Sequence, residues 1–519
     1  LSVSLRAGHT CLPLSEICDV HWGIAFDEQG LCSHQGYVFP RVEVLTNLLS
    51  ELEVGASAQQ VLVFDNNSLY MRRYFQFEYQ LVQNIKKRLT QSSSVSLEEI
   101  NSIVNLLFPN ESTQTKQEVD WQKIAVANAI NKNFTVIAGG PGTGKTYTVT
   151  KLLAALLMLN KSSQSCDNEN KGNEPALDIA LVAPTGKAAQ RLSESIIKAI
   201  SGFKGLIPDD ILALMPTQAK TIHRLLGVIP NSPNFRHNQN NLLSCDVLLI
   251  DEVSMVDLPM MARIFRALKP TAKIILLGDA DQLPSVAVGS VLADIAPRPH
   301  SGYSVENLNY LAQVCQIDAK QLQDTFEPLN STPHTRHDHL SFLMKSRRFD
   351  GEGGIGILAN HVINGQAAQS WQLLESSTSQ EPNQLNLVNN SLHAWLTPLV
   401  HKYYQGIAQC DDIGQAFILL AKFRVLCVTR QGEFGVDAIN QWIKEQLSQG
   451  FQASTNGYHG MPIMINENDY RLGLFNGDIG LLWRCDDGHL MAFFETPTQG
   501  DLDENSYKIL LPSRLPKYD

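Results

Sequence analysis

The sequence lacks long hydrophobic runs, an excess of basic residues and any pairing pattern among its cysteines. Its longest clearly apolar stretch, Leu152 to Leu159, is far shorter than the ~20 residues that cross a bilayer. The 41 Lys and Arg against 52 Asp and Glu give a formal net charge of −11. That charge argues against coating nucleic acid through overall charge, but it leaves room for a local basic groove. The 9 scattered cysteines suit a reducing compartment. We therefore expect a cytoplasmic protein with no membrane contact.

The most informative stretch combines a predicted strand, a glycine-rich loop and a predicted helix. The strand covers Phe134 to Ala138, the loop has the form G-x-x-x-x-G-K-T, and the helix covers Lys145 to Leu159. Glycines let backbone N–H groups point at phosphate oxygens, and the helix start adds its positive dipole end. This order of elements predicts a nucleotide-binding site. The residues expected to contact ATP there are Gly139, Gly140, Pro141, Gly142, Thr143, Gly144, Lys145, Thr146 and Tyr147.

Another predicted strand ends in two carboxylates. The apolar residues Val247 to Ile250 lead directly into Asp251 and Glu252. The carboxyl ends of parallel strands meet at one edge of a sheet, so Asp251 is expected beside the nucleotide loop. We expect Asp251, together with Thr146, to hold Mg²⁺. Glu252 is expected to polarise the water that attacks the γ-phosphate of ATP.

Length and strand pattern predict a multidomain α/β protein. At 519 residues the chain is too long for one core. Predicted strands that alternate with helices favour a doubly wound parallel sheet in one RecA-type lobe. A buried strand is predicted at 425–429. From residue 460, short alternating strands indicate a small all-β module, for which we expect a five-stranded barrel.

The predicted domain boundaries follow from these patterns. Residues 1–114 carry no catalytic motif and are expected to form a folded appendage that contacts another protein. The remaining domains are an ATPase lobe at 115–325 with a hairpin insertion at about 227–244, a second, partial lobe at 326–455 and the β module at 456–519.

Several further motifs narrow the class of nucleotide-binding protein. The run from Gly278 to Val286 resembles motif III of superfamily 1 helicases, Ala183 to Ala189 resembles their motif Ia, and Asp251 to Asp257 resembles motif II. Together with Asp120 to Lys123, His223 to Gly227 and Phe475 to Gly480, these motifs make nearly the whole chain resemble the RecD family. That family comprises alpha subunits of bacterial exodeoxyribonuclease V (RecBCD).

The resemblance implies an architecture, an activity and partners. It implies two RecA-like P-loop lobes, the second incomplete, a motif-free N-terminal α+β domain and a small SH3-like β-barrel inserted in the second lobe. It implies an ATP- and Mg²⁺-dependent 5′-to-3′ DNA helicase that acts on single-stranded DNA at the ends of broken duplexes. The implied partners are the beta (RecB) and gamma (RecC) subunits, and the implied location is the bacterial nucleoid.

The resemblance also assigns roles to individual residues. Gln122 would recognise adenine, Gln282 would sense the γ-phosphate, and Arg348 would stabilise charge from the second lobe. The residues that would lie along the DNA strand are Thr185, Lys187 and His223, and the hairpin near Phe235 resembles the wedge that separates strands.

One departure from the family pattern changes the expected activity. The family continues beyond Pro512 to Pro516 with two further helicase motifs, which this sequence does not contain. An arginine aimed at the γ-phosphate can contribute a factor of ~10³ or more to the rate. We therefore expect a truncated chain that binds ATP but hydrolyses it poorly.

Two other functions were weighed against the motor. One is an ATP-binding structural or regulatory subunit without motor activity, which Lys145→Gln would distinguish because only a motor would lose translocation. The other is a nuclease, which would need a compact cluster of carboxylates and lysine. No such cluster is visible in the sequence outside the predicted ATP site, so nuclease activity is not expected in this chain.

Overall fold

The computed structural model resolves two compact units. One comprises Leu1–Pro184 with Arg191–Gly351, and the other comprises Thr185–Gln190 with Glu352–Asp519. The residues that the structure describes are 1–27, 29–57, 59–91, 95–109, 119–166, 177–285, 287–326, 336–345, 353–376, 384–388, 391–448, 457–467, 469, 471–485, 487–496 and 506–519.

The amino-terminal part of the first unit contains short strands and helices. Its strands are β1 (Cys11–Pro13), β2 (His21–Phe26), β3 (Cys32–Val38), β4 (Leu62–Asp65) and β5 (Ser68–Met71), and its helices are α1 (Ser2–Arg6), α2 (Val42–Glu51), α3 (Arg72–Leu89) and α4 (Leu97–Leu107). Strands β1, β5 and β4 form an antiparallel sheet, whereas β2 and β3 pair only with each other in the described residues. The β4–β5 turn places Asn66 and Asn67 at φ 47° and 56°. Asparagine tolerates these left-handed conformations, which a two-residue hairpin turn requires.

A parallel sheet forms the centre of the first unit, as the strand pattern predicts. Its strands are β6 (Phe134–Gly139), β7 (Ile179–Ala183), β8 (Lys220–Thr221), β9 (Val247–Ile250), β10 (Lys273–Gly278) and β11 (Leu340–Leu343). Within the described residues their order is β11-β6-β10-β9-β7-β8, and every neighbouring pair is parallel. Strand β10 therefore lies between the strand that leads into the glycine-rich loop and the strand that leads into Asp251.

Helices cover both faces of this sheet. They are α5 (Trp121–Asn131), α6 (Lys145–Cys166), α7 (Gly186–Gly202), α8 (Asp209–Leu214), α9 (Ile222–Leu226), α10 (Leu258–Ala267), α11 (Val291–Ile295), α12 (Val305–Cys315) and α13 (Ala319–Asp324). No helix in the described part of the chain has both the length and the apolarity needed to cross a membrane.

Alternating strand residues supply the two cores. Ile137 of β6 and Leu249 of β9 face one core, whereas Val136 and Leu248 face the other. Successive strand side chains point to opposite faces, so a strand buried on both faces must be apolar throughout. This requirement explains why the predicted strands appear in the sequence as continuous apolar runs.

The helices α3 and α4 do not belong to a separate domain, although a boundary was predicted after residue 114. Helix α3 packs against α10, and α4 packs against α5, α6 and α12. The Arg88 side chain at the end of α3 is 1% exposed, and its guanidinium lies 5.3 Å from the centre of the Phe265 ring. Arg88 also donates hydrogen bonds to the carbonyl oxygens of Lys269 (2.9 Å) and Ala272 (3.4 Å). The amphipathic helices therefore complete the cores of the ATPase lobe.

Strand β11 also differs from its predicted place. The boundary predicted at 325/326 assigns Leu340 to Leu343 to the second lobe, but β11 pairs in parallel with β6. Three of its four residues are apolar and buried, and Ser341 is buried as well. The open edge of β6 gives these residues the hydrogen bonds and the cover that they need, so the strand joins the first sheet.

The second unit combines helices with an antiparallel sheet. Its helices are α14 (Gly354–Ile363), α15 (Ala367–Ser376), α16 (Leu392–Leu399), α17 (Ile413–Ala421) and α18 (Val436–Ser448), and its strands are β12 (Met461–Met464), β13 (Ile479–Arg484), β14 (Leu490–Thr496) and β15 (Ser506–Leu510). In the described residues the strand order is β12-β13-β14-β15, with antiparallel pairing throughout. The module is thus a four-stranded sheet where a five-stranded barrel was expected.

The buried strand predicted at 425–429 is wrong. This segment is assigned to no strand, and Leu426 and Val428 are 92% and 103% exposed. Val425 and Cys427, on the opposite side, pack partly against the core formed by residues of α16 and α18. A continuous apolar run predicts a buried strand only where a neighbouring strand is available to pair with it. Among its described residues the second unit has no parallel sheet, so a second RecA-like lobe is not confirmed.

Candidate active site

The glycine-rich loop between β6 and α6 has the backbone conformation that only glycine adopts easily. Gly142 and Gly144 have φ values of 77° and 84°. A Cβ atom on Gly139 would lie 2.6 Å from Thr143 Oγ1, and that hydroxyl donates a hydrogen bond of 2.9 Å to the Gly140 carbonyl oxygen. The loop is therefore closed on itself by Thr143. Gly142 and Gly144 are required because their φ angles are positive, and Gly139 is required because there is no room for a Cβ atom.

Lys145, the first residue of α6, reaches back across this loop. Its Nζ donates hydrogen bonds to the carbonyl oxygens of Gly139 (2.6 Å) and Gly140 (3.2 Å). A lysine ammonium is a compact charge on a flexible stem, so it can exchange these carbonyl oxygens for phosphate oxygens. Thr146, the next residue, is half-buried at the helix start. The structure thus places the two residues predicted for phosphate and Mg²⁺ side by side in the first turn of α6.

Asp251 and Glu252 follow β9 at the same edge of the sheet. Glu252 has φ 53° and ψ 44°, a left-handed conformation that is uncommon for a residue with a side chain. Its backbone N–H donates to Asp251 Oδ1 at 2.9 Å. Strained residues of this kind occur often at functional sites. The bend therefore turns the chain directly after Asp251, at the end of β9.

Burial dominates the electrostatics of Asp251. Desolvation, together with the neighbouring charge of Glu252, raises the pKa of the Asp251 carboxyl from 3.8 to about 6. The Glu252 N–H and the positive charge of Lys145 act in the opposite direction, which places Lys145 within electrostatic range of Asp251. Asp251 is therefore an inadequately compensated buried anion that a cation would stabilise.

These residues fit a magnesium ion. Mg²⁺ prefers oxygen ligands and keeps several waters, so one carboxylate and one hydroxyl from the protein are sufficient beside substrate phosphates. Asp251 and Thr146 supply those two oxygen types, and desolvation, which is the main cause of the raised pKa of Asp251, favours a cation beside the ionised carboxylate. Bound Mg²⁺ would neutralise charge on the β- and γ-phosphates.

Gln122 contacts the glycine-rich loop directly, a contact that the sequence does not reveal. It lies at the start of α5, where Asp120 Oδ1 accepts hydrogen bonds from the N–H groups of Gln122 (3.0 Å) and Lys123 (3.1 Å). The Gln122 side chain is 6% exposed, and its Nε2 donates to the Thr143 carbonyl oxygen at 3.1 Å. The side-chain amide of Gln122, which is predicted to recognise adenine, is therefore already hydrogen-bonded to the glycine-rich loop.

The structure describes two further predicted site residues, Tyr147 and Gln282, and does not describe a third. Tyr147 in α6 is 37% exposed, and its ring centre lies 5.2 Å from that of Phe203. Gln282 is exposed in the turn after β10, where its N–H donates to the carbonyl oxygen of the buried Asp279 at 3.3 Å. Arg348 lies outside the described residues.

The predicted DNA-contacting residues fall into two pairs. In the first unit, the ring centres of His223 and Phe235 are 5.8 Å apart, and Phe235 is half-buried against the core. Burial lowers the pKa of His223, so its imidazole is neutral near pH 7. In the second unit, Thr185 Oγ1 accepts from the Ala188 N–H (3.2 Å), and Lys187 Nζ donates to the Gly477 carbonyl oxygen (2.9 Å). Lys187 thus meets the Phe475 to Gly480 motif.

The hairpin predicted at about 227–244 is an irregular excursion. Its pairings are single bridges, Val228 with Phe235 and Asn238 with Asn241, and no regular strand forms there in the described residues. Arg263 lies with its guanidinium 5.6 Å from the centre of the Phe235 ring. Phe235 therefore anchors this irregular segment to the core of the first unit.

Comparison with known proteins agrees with this site. A family model described as an AAA domain matches residues 122–288, the stretch from Gln122 through the turn that contains Gln282. The RecBCD enzyme subunit RecD of Haemophilus influenzae is 37% identical over 448 residues, which are 81% of this chain and 66% of that protein. The ATP-dependent RecD2 DNA helicase of Deinococcus radiodurans is 38% identical over 163 residues, 31% of this chain and 18% of its own.

A third relative covers more of both proteins. The RecBCD enzyme subunit RecD of Mycobacterium tuberculosis is 30% identical over 485 residues, which are 92% of this chain and 72% of that protein. This chain thus spans about two thirds of the length of the curated RecD subunits that it matches. The chain belongs to the RecD family.

Proposed function

We propose that this chain is an ATP-driven motor that moves 5′ to 3′ along single-stranded DNA at the ends of broken duplexes. The observation that carries the proposal is the convergence of Lys145, Asp251 and Glu252 at the carboxyl edge of the parallel sheet. Lys145 closes the loop that precedes it, and its charge acts on the pKa of Asp251. A lysine, a buried carboxylate and a second carboxylate at this place are the groups that ATP hydrolysis requires.

Each residue of the site would have a separate role in ATP hydrolysis. Lys145 would leave the carbonyl oxygens of Gly139 and Gly140 and bind the β- and γ-phosphates, while Thr146 and Asp251 would hold Mg²⁺. Glu252, turned away from Asp251 by its left-handed backbone, would orient the attacking water.

Phosphate sensing and nucleotide recognition would involve residues around this centre. Gln282 would contact the γ-phosphate from the turn after β10, and Arg348 would add a charge from the following segment. Gln122 would bind adenine. Because its Nε2 already bonds to the Thr143 carbonyl oxygen, adenine binding would change the support of the loop as well.

The DNA strand would be held through its backbone and its base faces. Thr185 and Lys187 would contact phosphates. His223 is neutral because burial lowers its pKa, so it and Phe235 would offer ring surfaces to the bases. Stacking on rings and contact with phosphates are tolerant of sequence, as a motor requires.

The surface of the β2–β3 hairpin supports a protein partner. All but one of the residues of these strands are exposed, including Trp22, Phe26 and Tyr37 at 37%, 66% and 61%. The sequence contains no Lys or Arg between Arg6 and Arg41, so this surface does not suit nucleic acid. An isolated two-stranded hairpin is marginally stable in water, and apolar cover from a partner would stabilise it. We assign this surface to the beta or gamma subunit of RecBCD.

Hydrolysis by the purified chain tests the motor. A motor should show ATP hydrolysis that single-stranded DNA stimulates, even where the absolute rate is low, and Lys145→Gln should abolish the stimulated part. Lys320→Gln, which removes an exposed lysine of α13, is the matched control and should keep it. Stimulated hydrolysis that survives Lys145→Gln would refute the assigned role. ATP binding without hydrolysis by the unaltered chain would favour the regulatory subunit.

Complex formation tests the partner surface. Trp22→Ser with Phe26→Ser should weaken assembly with the beta and gamma subunits by about tenfold or more, because large aromatic residues dominate interface energies. Tyr79→Ser removes an aromatic residue that is 56% exposed on α3 and serves as the control. Unaltered assembly of the double variant, measured by analytical ultracentrifugation, would exclude the hairpin as the docking surface.

A further inference from the structure

Arg298 joins two parts of the first unit that the proposed mechanism leaves separate. Its Nη1 lies 2.6 Å from Asp281 Oδ2, and its guanidinium carbon lies 4.7 Å from the centre of the Phe342 ring. Asp281 directly precedes Gln282, the candidate γ-phosphate sensor. Phe342 lies in β11, after which the chain continues to Arg348. We propose that Arg298 is a positioning residue that couples the turn bearing Gln282 to strand β11.

Both partners of Arg298 are held in place. The Asp281 side chain is 16% exposed, and its backbone N–H donates to Asp279 Oδ1 at 3.1 Å. Phe342 is 5% exposed and belongs to the core of the lobe. A guanidinium can pair with a carboxylate and lie over an aromatic ring at the same time, which an ammonium does less well. A displacement of the turn would therefore move Arg298 across Phe342 or break one of the two contacts.

The carboxyl-terminal end of β11 contacts the glycine-rich loop. Leu343 is the register partner of Gly139, and a Cβ atom added to Gly139 would lie 3.0 Å from Leu343 Cβ. The His300 imidazole Nε2 lies 3.1 Å from the Leu340 carbonyl oxygen, so the segment that carries Arg298 contacts β11 at a second point. Contacts thus run without a break from the turn that bears Gln282 through Arg298 and β11 to the glycine-rich loop, all within one unit.

This inference rests on the proposed function, because it concerns how the state of the ATP site reaches the segment that bears Arg348. Binding of a γ-phosphate by Gln282 would displace the turn that contains Asp281. Arg298 would pass that change to β11, which already lies beside the loop that holds the phosphates. Strand β11 would therefore have one set of contacts when the γ-phosphate is bound and another when it is absent.

A comparison of two arginines separates coupling from ordinary packing. Arg266 also bonds a polar side chain, Gln80 Oε1 at 2.6 Å, and lies 5.1 Å from the centre of the Phe77 ring, but it joins α10 to α3. Arg298→Met and Arg266→Met therefore remove the same kind of contact, and only the first touches the sensor turn. Arg298→Lys keeps the charge beside Asp281 and loses the planar stack on Phe342.

The test measures hydrogen exchange of residues 340–343 in the full chain, before and after addition of ADP with aluminium fluoride, Mg²⁺ and single-stranded DNA. We expect ligand-induced protection of these amides in the unaltered chain and in Arg266→Met. In Arg298→Met the protection should fall by about threefold or more, and Arg298→Lys should lie between. The number of ATP molecules hydrolysed per nucleotide translocated should rise in Arg298→Met, while the affinity for ATP stays unchanged.

The outcomes separate this inference from the proposed function. Unchanged protection in Arg298→Met, equal loss in Arg266→Met, or no ligand-induced protection in the unaltered chain would each overturn the coupling role. If the unaltered chain shows no DNA-stimulated hydrolysis but its protection still depends on Arg298, the motor proposal fails and the coupling role stands.

Discussion

Replacing Asp251 with asparagine should stabilise the ligand-free protein while it abolishes hydrolysis. The Asp251 carboxyl is partly buried, and desolvation raises its pKa to about 6 from an ordinary value of 3.8. At neutral pH the folded protein must therefore keep a charge in a place that favours the neutral form. Asparagine has nearly the same shape and no charge, so Asp251→Asn removes that cost.

The sign and size follow from the two pKa values. A carboxyl whose pKa is higher in the folded than in the unfolded state destabilises the fold above its unfolded pKa. The penalty is absent below about pH 4, grows as pH rises, and reaches its full size above about pH 6. A difference of about 2 between the pKa values corresponds to about 3 kcal/mol. For a unit of about 345 residues, that free energy corresponds to roughly 4 °C in Tm.

Thermal unfolding without nucleotide or Mg²⁺ measures this effect. We expect the Tm of Asp251→Asn to exceed that of the unaltered chain at about pH 7.5, and the difference to vanish near pH 4. Asp324→Asn, at an exposed position in α13, removes one charge without burial and should show no such pattern. A difference that is zero or negative at about pH 7.5, or that does not depend on pH, would refute the reasoning.

Other predictions concern the loop and the docking of α3. Gly144→Ala should weaken ATP binding by about tenfold or more, because φ is +84° and the new Cβ would lie 2.4 Å from Gln122 Nε2. Gly140→Ala, which meets nothing within 4 Å, should bind more tightly than Gly144→Ala in the same fluorescence titration, and equal losses would contradict this steric reasoning. Arg88→Ala should destabilise the first unit by about 3 kcal/mol, because buried carbonyl oxygens lose their donor. Lys87→Ala, at an exposed position, should change the denaturation midpoint little, and similar effects of both variants would exclude a special role for Arg88.

Much of the ATPase lobe could be predicted because its signals are local. The strand Phe134–Gly139, the loop and the helix from Lys145 follow one another directly, and each is specified by residues within its own length. The two-residue turn at Asn66 and Asn67 has the same property. The parallel sheet follows from continuous apolar runs, because only strands buried on both faces require them.

The errors occurred where pairing or packing at long range decides the structure. Residues 425–429 form the continuous apolar run of a buried strand, but Leu426 and Val428 face solvent, because no strand among the described residues pairs with the segment. Leu340 to Leu343 has the composition of any buried strand, and the sequence does not say which sheet has an open edge for it. The boundary after residue 114 failed for a related reason, since the apolar faces of α3 and α4 do not specify which core they complete.

By itself the sequence predicted the glycine-rich loop, the helix that begins at Lys145 and the strands around them, because glycine conformation, helix starts and strand burial are short-range properties. Only the tertiary structure decided the electrostatic environment of the site residues and the contacts between them. The raised pKa of Asp251 depends on its burial within the fold, and the contact of Gln122 with the loop spans 21 residues. Arg298 connects Asp281 with Phe342 because helices and strands distant in sequence pack at one point. Electrostatic environment and long-range contact depend on the whole packed unit, and no short window of sequence contains them.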